Sequence, residues 1–112
     1  MAGQVVETSD RRLKESVEPY EAPLPNVERL EPVTYERSGQ PGSSQERELG
    51  LIAGEVEEVL PELVVEDENG IKGVRYTRLS VVLLSAFRAQ QDQIRALESE
   101  VQRLRAAVDR EP

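Results

Sequence analysis

Residues 83–108 read LLSAFRAQQDQIRALESEVQRLRAAV. Phe87, Ile94, Val101 and Val108 are spaced seven apart, and Leu83, Leu97 and Leu104 fill the complementary set. Apolar residues repeating at this period make a heptad seam, whose two core positions face partner helices. Gln90 falls on one core position. A polar core residue fixes register and oligomeric state at a cost in stability. Neither Pro nor Gly interrupts residues 77–110, so the spacing predicts one long helix. Before Gln90 the segment RLSVVLLSAF is apolar over a broad face, as expected of a helix packed on a globular part. After Gln90 the stripe narrows to the coiled-coil seam, which favours a coiled coil over 91–108 against a helix folded onto its own domain. Val and Ile in one core set with Leu in the other lean toward parallel dimers.

Immediately upstream, LVVEDENGIKGVRY (63–76) holds two β-prone stretches, 63–67 and 71–76, around Asn69-Gly70. Asn-Gly signals a hairpin because both residues tolerate positive φ. A lone two-stranded hairpin is marginal in water. In a chain this poor in aromatics the expectation is that 63–76 reaches across to another subunit instead of closing a private core. Further back stands ERELGLIAGEVEEVLPELV (46–64), where Leu49, Ile52, Val56, Val59 and Leu63 follow the amphipathic helix period. Glu46, Glu48 and Glu55 suit its N-terminal end. Pro61 should stop it near Val59 or Leu60. Gly50 and Gly54 weaken the helix and allow close approach of another backbone.

The first third is less regular. Residues 1–8 read as a lead-in, and 9–18 as a short helix. Pro19, Pro23 and Pro25 make 19–26 irregular. Val27 and Leu30 stand at a helical spacing, Val33-Thr34-Tyr35 favours a strand, and 37–45 is a loop by composition.

Composition bounds the chemistry. The 112 residues suffice for one modest domain, but only 38% are hydrophobic and 4% aromatic, against 32% charged. Such a chain builds a thin core, and oligomerisation is one way to gain burial. With no Cys and no His, disulfides, thiol catalysis, Cys/His zinc sites and His-based triads are excluded. We expect no cofactor and no metal. A net charge of −8 gives no global attraction to nucleic acid or anionic lipid. The start has no apolar stretch of signal-peptide length, and the apolar run 81–84 is too short to cross a bilayer.

The chemically distinctive stretch is TSDRRLKE (8–15). One reading is a helix start, with Ser9 or Asp10 as the cap and Leu13 and Val17 as an apolar pair. The other is a Ser–Lys dyad, in which Lys14 takes the proton of a Ser9 nucleophile. Like charges on Arg11 and Arg12 favour a neutral amine, while Asp10 and Glu15 favour the ammonium. Residues five apart in a regular helix point about 140° from each other. A Ser9–Lys14 contact therefore requires Ser9 to sit off the helix end, or the two to meet across a subunit boundary. No oxyanion-hole donor is evident.

Four stretches in this order resemble one family, the C-terminal intramolecular chaperone domain of phage endosialidases, tailspikes and tail fibres, with a self-cleaving relative in the myelin regulatory factor. SDRRLKESV looks like the family's opening Ser-Asp-x-x-x-Lys. VERLEPVTYE looks like its Leu-x-Pro-Val-x-Tyr strand, and LGLIAGEVEEVLPELV like its Gly-x-x-Ala helix ending in Leu-Pro-Glu-Leu-Val. GVRYTRLSVVLLSAFRAQQDQIRALE resembles its Tyr-led helix entering a coiled coil. The likeness runs from about Thr8 to Leu104. Gly54 departs from it, standing where a longer polar residue, usually Gln, is expected.

The resemblance implies an α+β, mainly α chain: a small helix-plus-hairpin globular part, then a long C-terminal helix forming a trimeric coiled coil. The implied divisions are a lead-in at 1–8, a chaperone and peptidase domain at 9–90 and a coiled coil at 91–112. The implied partners are two further copies of the chain and an upstream fibre or spike domain of the same polypeptide, with no nucleic acid and no membrane. In such relatives a large fibre precedes the domain; here eight residues precede Ser9. The trimer seam would be Phe87, Ile94, Leu97, Val101, Leu104 and Val108. Many such domains release themselves as single-turnover serine endopeptidases. Carried over by position, Ser9 is the nucleophile, Lys14 the general base, and the cut falls between Thr8 and Ser9. The setting would be the host cytoplasm during virion assembly, or the virion tail. The alternative is a trimerisation and interaction module of the same fold, in which Ser9 is a cap and Lys14 a surface charge. An ordinary hydrolase acting in trans is disfavoured, since no Gly-rich nucleophile turn is present.

Overall fold

The computed structural model describes residues 6–38 and 47–110. Most of the expected 37–45 loop, and Glu46, lie outside the described residues. Going along the chain, a single 3-10 turn at Arg11–Leu13 is followed by the short helix α1 (Leu24–Val27) and strand β1 (Val33–Tyr35). Then come β2 (Glu48–Gly50), α2 (Ala53–Val59), a second 3-10 turn (Pro61–Leu63), β3 (Val64–Glu66), β4 (Lys72–Val74) and α3 (Tyr76–Asp109). The architecture is α+β and mainly α, with a globular part followed by a long C-terminal helix, as expected.

The core forms where three apolar surfaces meet. Val56 and Val59 of α2, Leu60 and Leu63 around the Pro61 turn, and Leu79 and Val82 of α3 are all buried. Val27, Leu30, Leu51, Val64 and Val74 close its margin. Full burial of side chains this size contributes about 1.5–3 kcal/mol each. Pro61 ends α2 at Val59, as its missing N–H requires. The turn that follows swings Leu63 back under the core.

The front of the expected α2 is instead a strand. Glu48–Gly50 pairs antiparallel with Val33–Tyr35, Val33 facing Gly50 and Tyr35 facing Glu48. Leu49 and Ile52, which had matched a helical period, are exposed. Pairing with β1 gives partners to those backbone groups of the segment that face it, and arginines staple the hairpin. Arg37 Nε donates to Glu48 Oε2 at 2.9 Å and Arg47 Nη2 to the Thr34 carbonyl at 2.8 Å. A second correction concerns 19–26: α1 already starts at Leu24, with Pro25 in its first turn, where no N–H is needed. Asn26 Nδ2 ties α1 to the end of α2 by donating to the Val59 carbonyl at 3.0 Å.

Gly50 explains why the hairpin must carry a glycine. A Cβ there would lie 2.9 Å from Tyr76 Oη and 3.2 Å from Tyr35 Cε1. Tyr76 Oη is not free to retreat, because it accepts the Leu51 N–H at 3.0 Å. Gly50→Ala should therefore destabilise the fold by about 1–2 kcal/mol through overpacking and loss of that bond. Urea unfolding measures it, and most of the penalty should vanish in a Tyr76→Phe background. At Gly54, by contrast, an added Cβ meets nothing within 4 Å. A longer side chain there faces open space in the single chain.

The β3–β4 hairpin forms at the expected place, Val64 facing Val74 and Glu66 facing Lys72. Its connection differs from a two-residue Asn-Gly turn. Residues 67–71 form the loop, and only Gly70 takes positive φ, at 80°. Asp67 organises the rest, its Oδ1 accepting the N–H groups of Asn69 at 2.8 Å and Ile71 at 2.9 Å. The expectation that 63–76 closes no private core is also corrected. Val64 and Val74 pack on the core of their own chain. Lys72 Nζ meets Glu57 Oε1 of α2 at 2.6 Å.

α3 leaves the globular part behind. Its 34 residues contain three buried ones, Leu79, Val82 and Ala86. Nothing in the helix beyond Ala86 is buried. A helix of this length runs about 51 Å at 1.5 Å per residue, which accounts for much of the 74 Å long axis.

Candidate functional site

The opening stretch folds into less helix than expected, and that is what brings its ends together. Asp10 is extended (φ −71°, ψ 133°), Arg11–Leu13 make one 3-10 turn, and Lys14 is extended again (φ −115°, ψ 137°). Ser9 thus sits off the end of the turn. The Asp10 and Arg11 carbonyls accept the N–H groups of Leu13 and Lys14, both at 3.0 Å. With the chain reversed over so few residues, Lys14 Nζ donates to Ser9 Oγ at 2.7 Å. The contact is made within one chain. Leu13 and Val17, expected as an apolar helical pair, are instead exposed.

Of the two candidate caps, Asp10 fills the role. Its Oδ1 accepts the Arg12 N–H at 2.8 Å, and its two oxygens take Arg12 Nε at 3.1 Å and Nη2 at 2.9 Å. Arg12's charge is therefore matched by Asp10. The Arg12 guanidinium, and then the Arg12 backbone N–H, hold the Asp10 carboxyl below its ordinary value of 3.8. A depressed carboxylate contributes stability that is full above the unfolded value and lost as pH falls through the folded one. The Asp10 Cγ shift, followed by NMR, should accordingly titrate with a midpoint below 3.8. A midpoint at the ordinary value would mean that the bracket does not persist in solution.

Two features near the site were not evident from the sequence. Ser16 takes φ 51°, the positive-φ non-glycine among the described residues, and redirects the chain after Lys14 and Glu15. The chain then runs as a strap to α3, where Ser85 clasps it. Ser85 Oγ accepts the Ala22 N–H at 2.9 Å and donates to the Tyr20 carbonyl at 3.1 Å. A serine amid the apolar run of α3 was the available signal.

The expected seam residues Phe87, Ile94, Leu97, Val101, Leu104 and Val108 all lie on α3 and are 44–70% exposed. They share no element with Ser9 and Lys14. Among the described residues no cluster of acidic groups fit to hold a metal is present, and no helix is long and apolar enough to cross a membrane.

The sequence model of the family described as chaperone of endosialidase matches residues 9–65, starting at Ser9. The chain belongs to that family. Over 108 residues it is 32% identical to the long tail fibre protein Gp37 of Salmonella phage S16, covering 90% of this chain. Over 99 residues it is 33% identical to Gp37 of Enterobacteria phage K3, covering 83% of this chain. The chain spans 14% and 8% of the lengths of those two relatives.

Proposed function

We propose that this chain is a C-terminal intramolecular chaperone of a phage tail-fibre or tailspike protein, which assembles as a homotrimer and releases itself by a single autoproteolytic turnover at Ser9. The carrying observation is the 2.7 Å approach of Lys14 Nζ to Ser9 Oγ, at the residue where the family match begins. That separation is within proton-transfer reach. On this reading 9–90 is the chaperone and peptidase unit and 91–112 the coiled coil, a division supported by the end of burial at Ala86.

The step runs as follows. A neutral Lys14 amine takes the Ser9 Oγ proton as Oγ attacks the Thr8 carbonyl carbon. Attack on that preceding carbonyl closes a five-membered ring, whereas attack on the Ser9 carbonyl would need a strained four-membered one. The tetrahedral intermediate collapses with breakage of the Thr8–Ser9 C–N bond, and Lys14 returns the proton to the departing Ser9 amine. Thr8 is left as an ester on Ser9 Oγ. Water hydrolyses it, giving a Thr8 carboxylate and a free Ser9 hydroxyl. Ser9 then begins the released chain.

Assembly rests on a separate argument. Residues 88–109 contain no fully buried residue within their own chain, and most of a helix's stability in a protein comes from packing its apolar face. A parallel trimer covers the seam and stabilises the helix. The test is a fusion with a fibrous passenger ahead of residue 1. Intact mass of the downstream fragment should correspond to a chain starting at Ser9. Uncut fusion at all times would leave the trimerisation module without peptidase activity.

A further inference from the structure

The turn that joins Ser9 to Lys14 has no buried residue. No packing therefore holds it, and local hydrogen bonds must. Asp10 supplies two of their acceptors: its carbonyl to Leu13 N and its Oδ1 to Arg12 N. Its extended backbone also sets Ser9 off the end of the turn, where the Lys14 amine can reach it. We propose that Asp10 is the positioning residue of the cleavage site, its side-chain oxygen holding the turn that lays Lys14 on Ser9. The proposal rests on the self-cleavage reading above for its effect on rate, but not for its effect on geometry.

Two properties of Asp10 compete for this role, the capping oxygen and the negative charge. The Arg12 guanidinium is 88% exposed and the Asp10 side chain 44%. An ion pair so wet contributes little. The capping oxygen remains as the larger effect, and Asn offers the same oxygen without the charge, capping about as well as Asp.

The test compares Asp10→Ala, Asp10→Asn and Arg12→Ala in the passenger fusion. Asp10→Ala should slow release about tenfold to a hundredfold, the range expected when a reacting pair is misplaced. Asp10→Asn and Arg12→Ala should stay within about threefold of wild type, since both keep the cap. Melting temperatures should not move, because the turn touches no core. Wild-type rate in Asp10→Ala, or equal slowing in Asp10→Asn, overturns the proposal. A second readout is independent of cutting: the NMR contact between Ser9 Hβ and Lys14 Hε. It should disappear in Asp10→Ala and persist in Asp10→Asn. A wild type that never cuts but shows this pattern refutes self-cleavage and upholds the positioning role. A wild type that cuts, with the contact intact in Asp10→Ala, does the reverse.

Discussion

A passenger fused ahead of residue 1 should remain attached in Ser9→Ala, with release slowed by on the order of a thousandfold or more. Alanine offers no oxygen to form the ester, and no other hydroxyl in the stretch is hydrogen-bonded to a lysine. Lys14→Ala should fail equally, because Ser9 Oγ keeps its proton. The informative variant is Lys14→Arg. Arginine can still donate to Ser9 Oγ, so the 2.7 Å contact has a plausible replacement. It stays protonated, however, and cannot accept a proton. Failure of Lys14→Arg therefore assigns Lys14 a role as base and not merely as hydrogen-bond donor. A denaturing gel separates fusion from product. Cutting in Ser9→Ala at the wild-type rate would remove the dyad and leave Asp10 as an ordinary cap of an ordinary turn.

The second large effect is expected from Ile94→Asp. In the single chain Ile94 is 44% exposed, so an aspartate there costs the isolated fold almost nothing. Any large consequence must come from a partner. In a trimer the substitution places three carboxylates in one core layer, each uncompensated buried charge costing several kcal/mol. Light scattering should show the trimer mass of wild type falling to that of a monomer, with loss of helical circular dichroism from 88–109. A dimeric wild type would mean that the core residues, with Val and Ile set against Leu, outweigh the trimer proposed from the resemblance. An unchanged mass in Ile94→Asp would place the seam elsewhere. Because Ser9 and Lys14 meet within one chain, cleavage in the monomeric variant would show that the site needs no second subunit. Its loss would show that a neighbour supplies something more, such as a donor to the developing oxyanion.

What could be read in the sequence was governed by how local its cause is. Pro61 ends α2 wherever it stands in space, and the run free of Pro and Gly from 77 to 110 gave α3 correctly. Both effects act within a turn or two. Val33–Tyr35 was legible as a strand from its own residues, but its partner was not. Glu48–Gly50 carries a helical pattern in Leu49 and Ile52 and becomes a strand because β1 is there to pair with it. The hairpin at Asn69-Gly70 was found for a partly wrong reason, since the Asp67 carboxylate does much of what positive φ at Asn69 was expected to do. At the site, the residue types marked the pair, while the geometry depended on a helix being shorter than its sequence suggested. A single 3-10 turn leaves Ser9 and Lys14 on its two extended flanks. The Ser85 clasp joins positions 63 and 65 residues apart, a separation that no local pattern encodes.

That clasp decides how the chain would carry a mechanical load. From residue 6 to residue 20 every described side chain is exposed. The first long-range hydrogen bonds met along the described chain are those of Ser85 with Tyr20 and Ala22. A pull on an upstream fibre would therefore straighten the segment from Ser9 onward and arrive first at α3, one turn beyond the buried Val82. Tension would open the Ser9–Lys14 turn before it strained the core. Severing the chain at Ser9 would take the load off the long helix altogether, leaving it mechanically independent of any segment pulled from upstream.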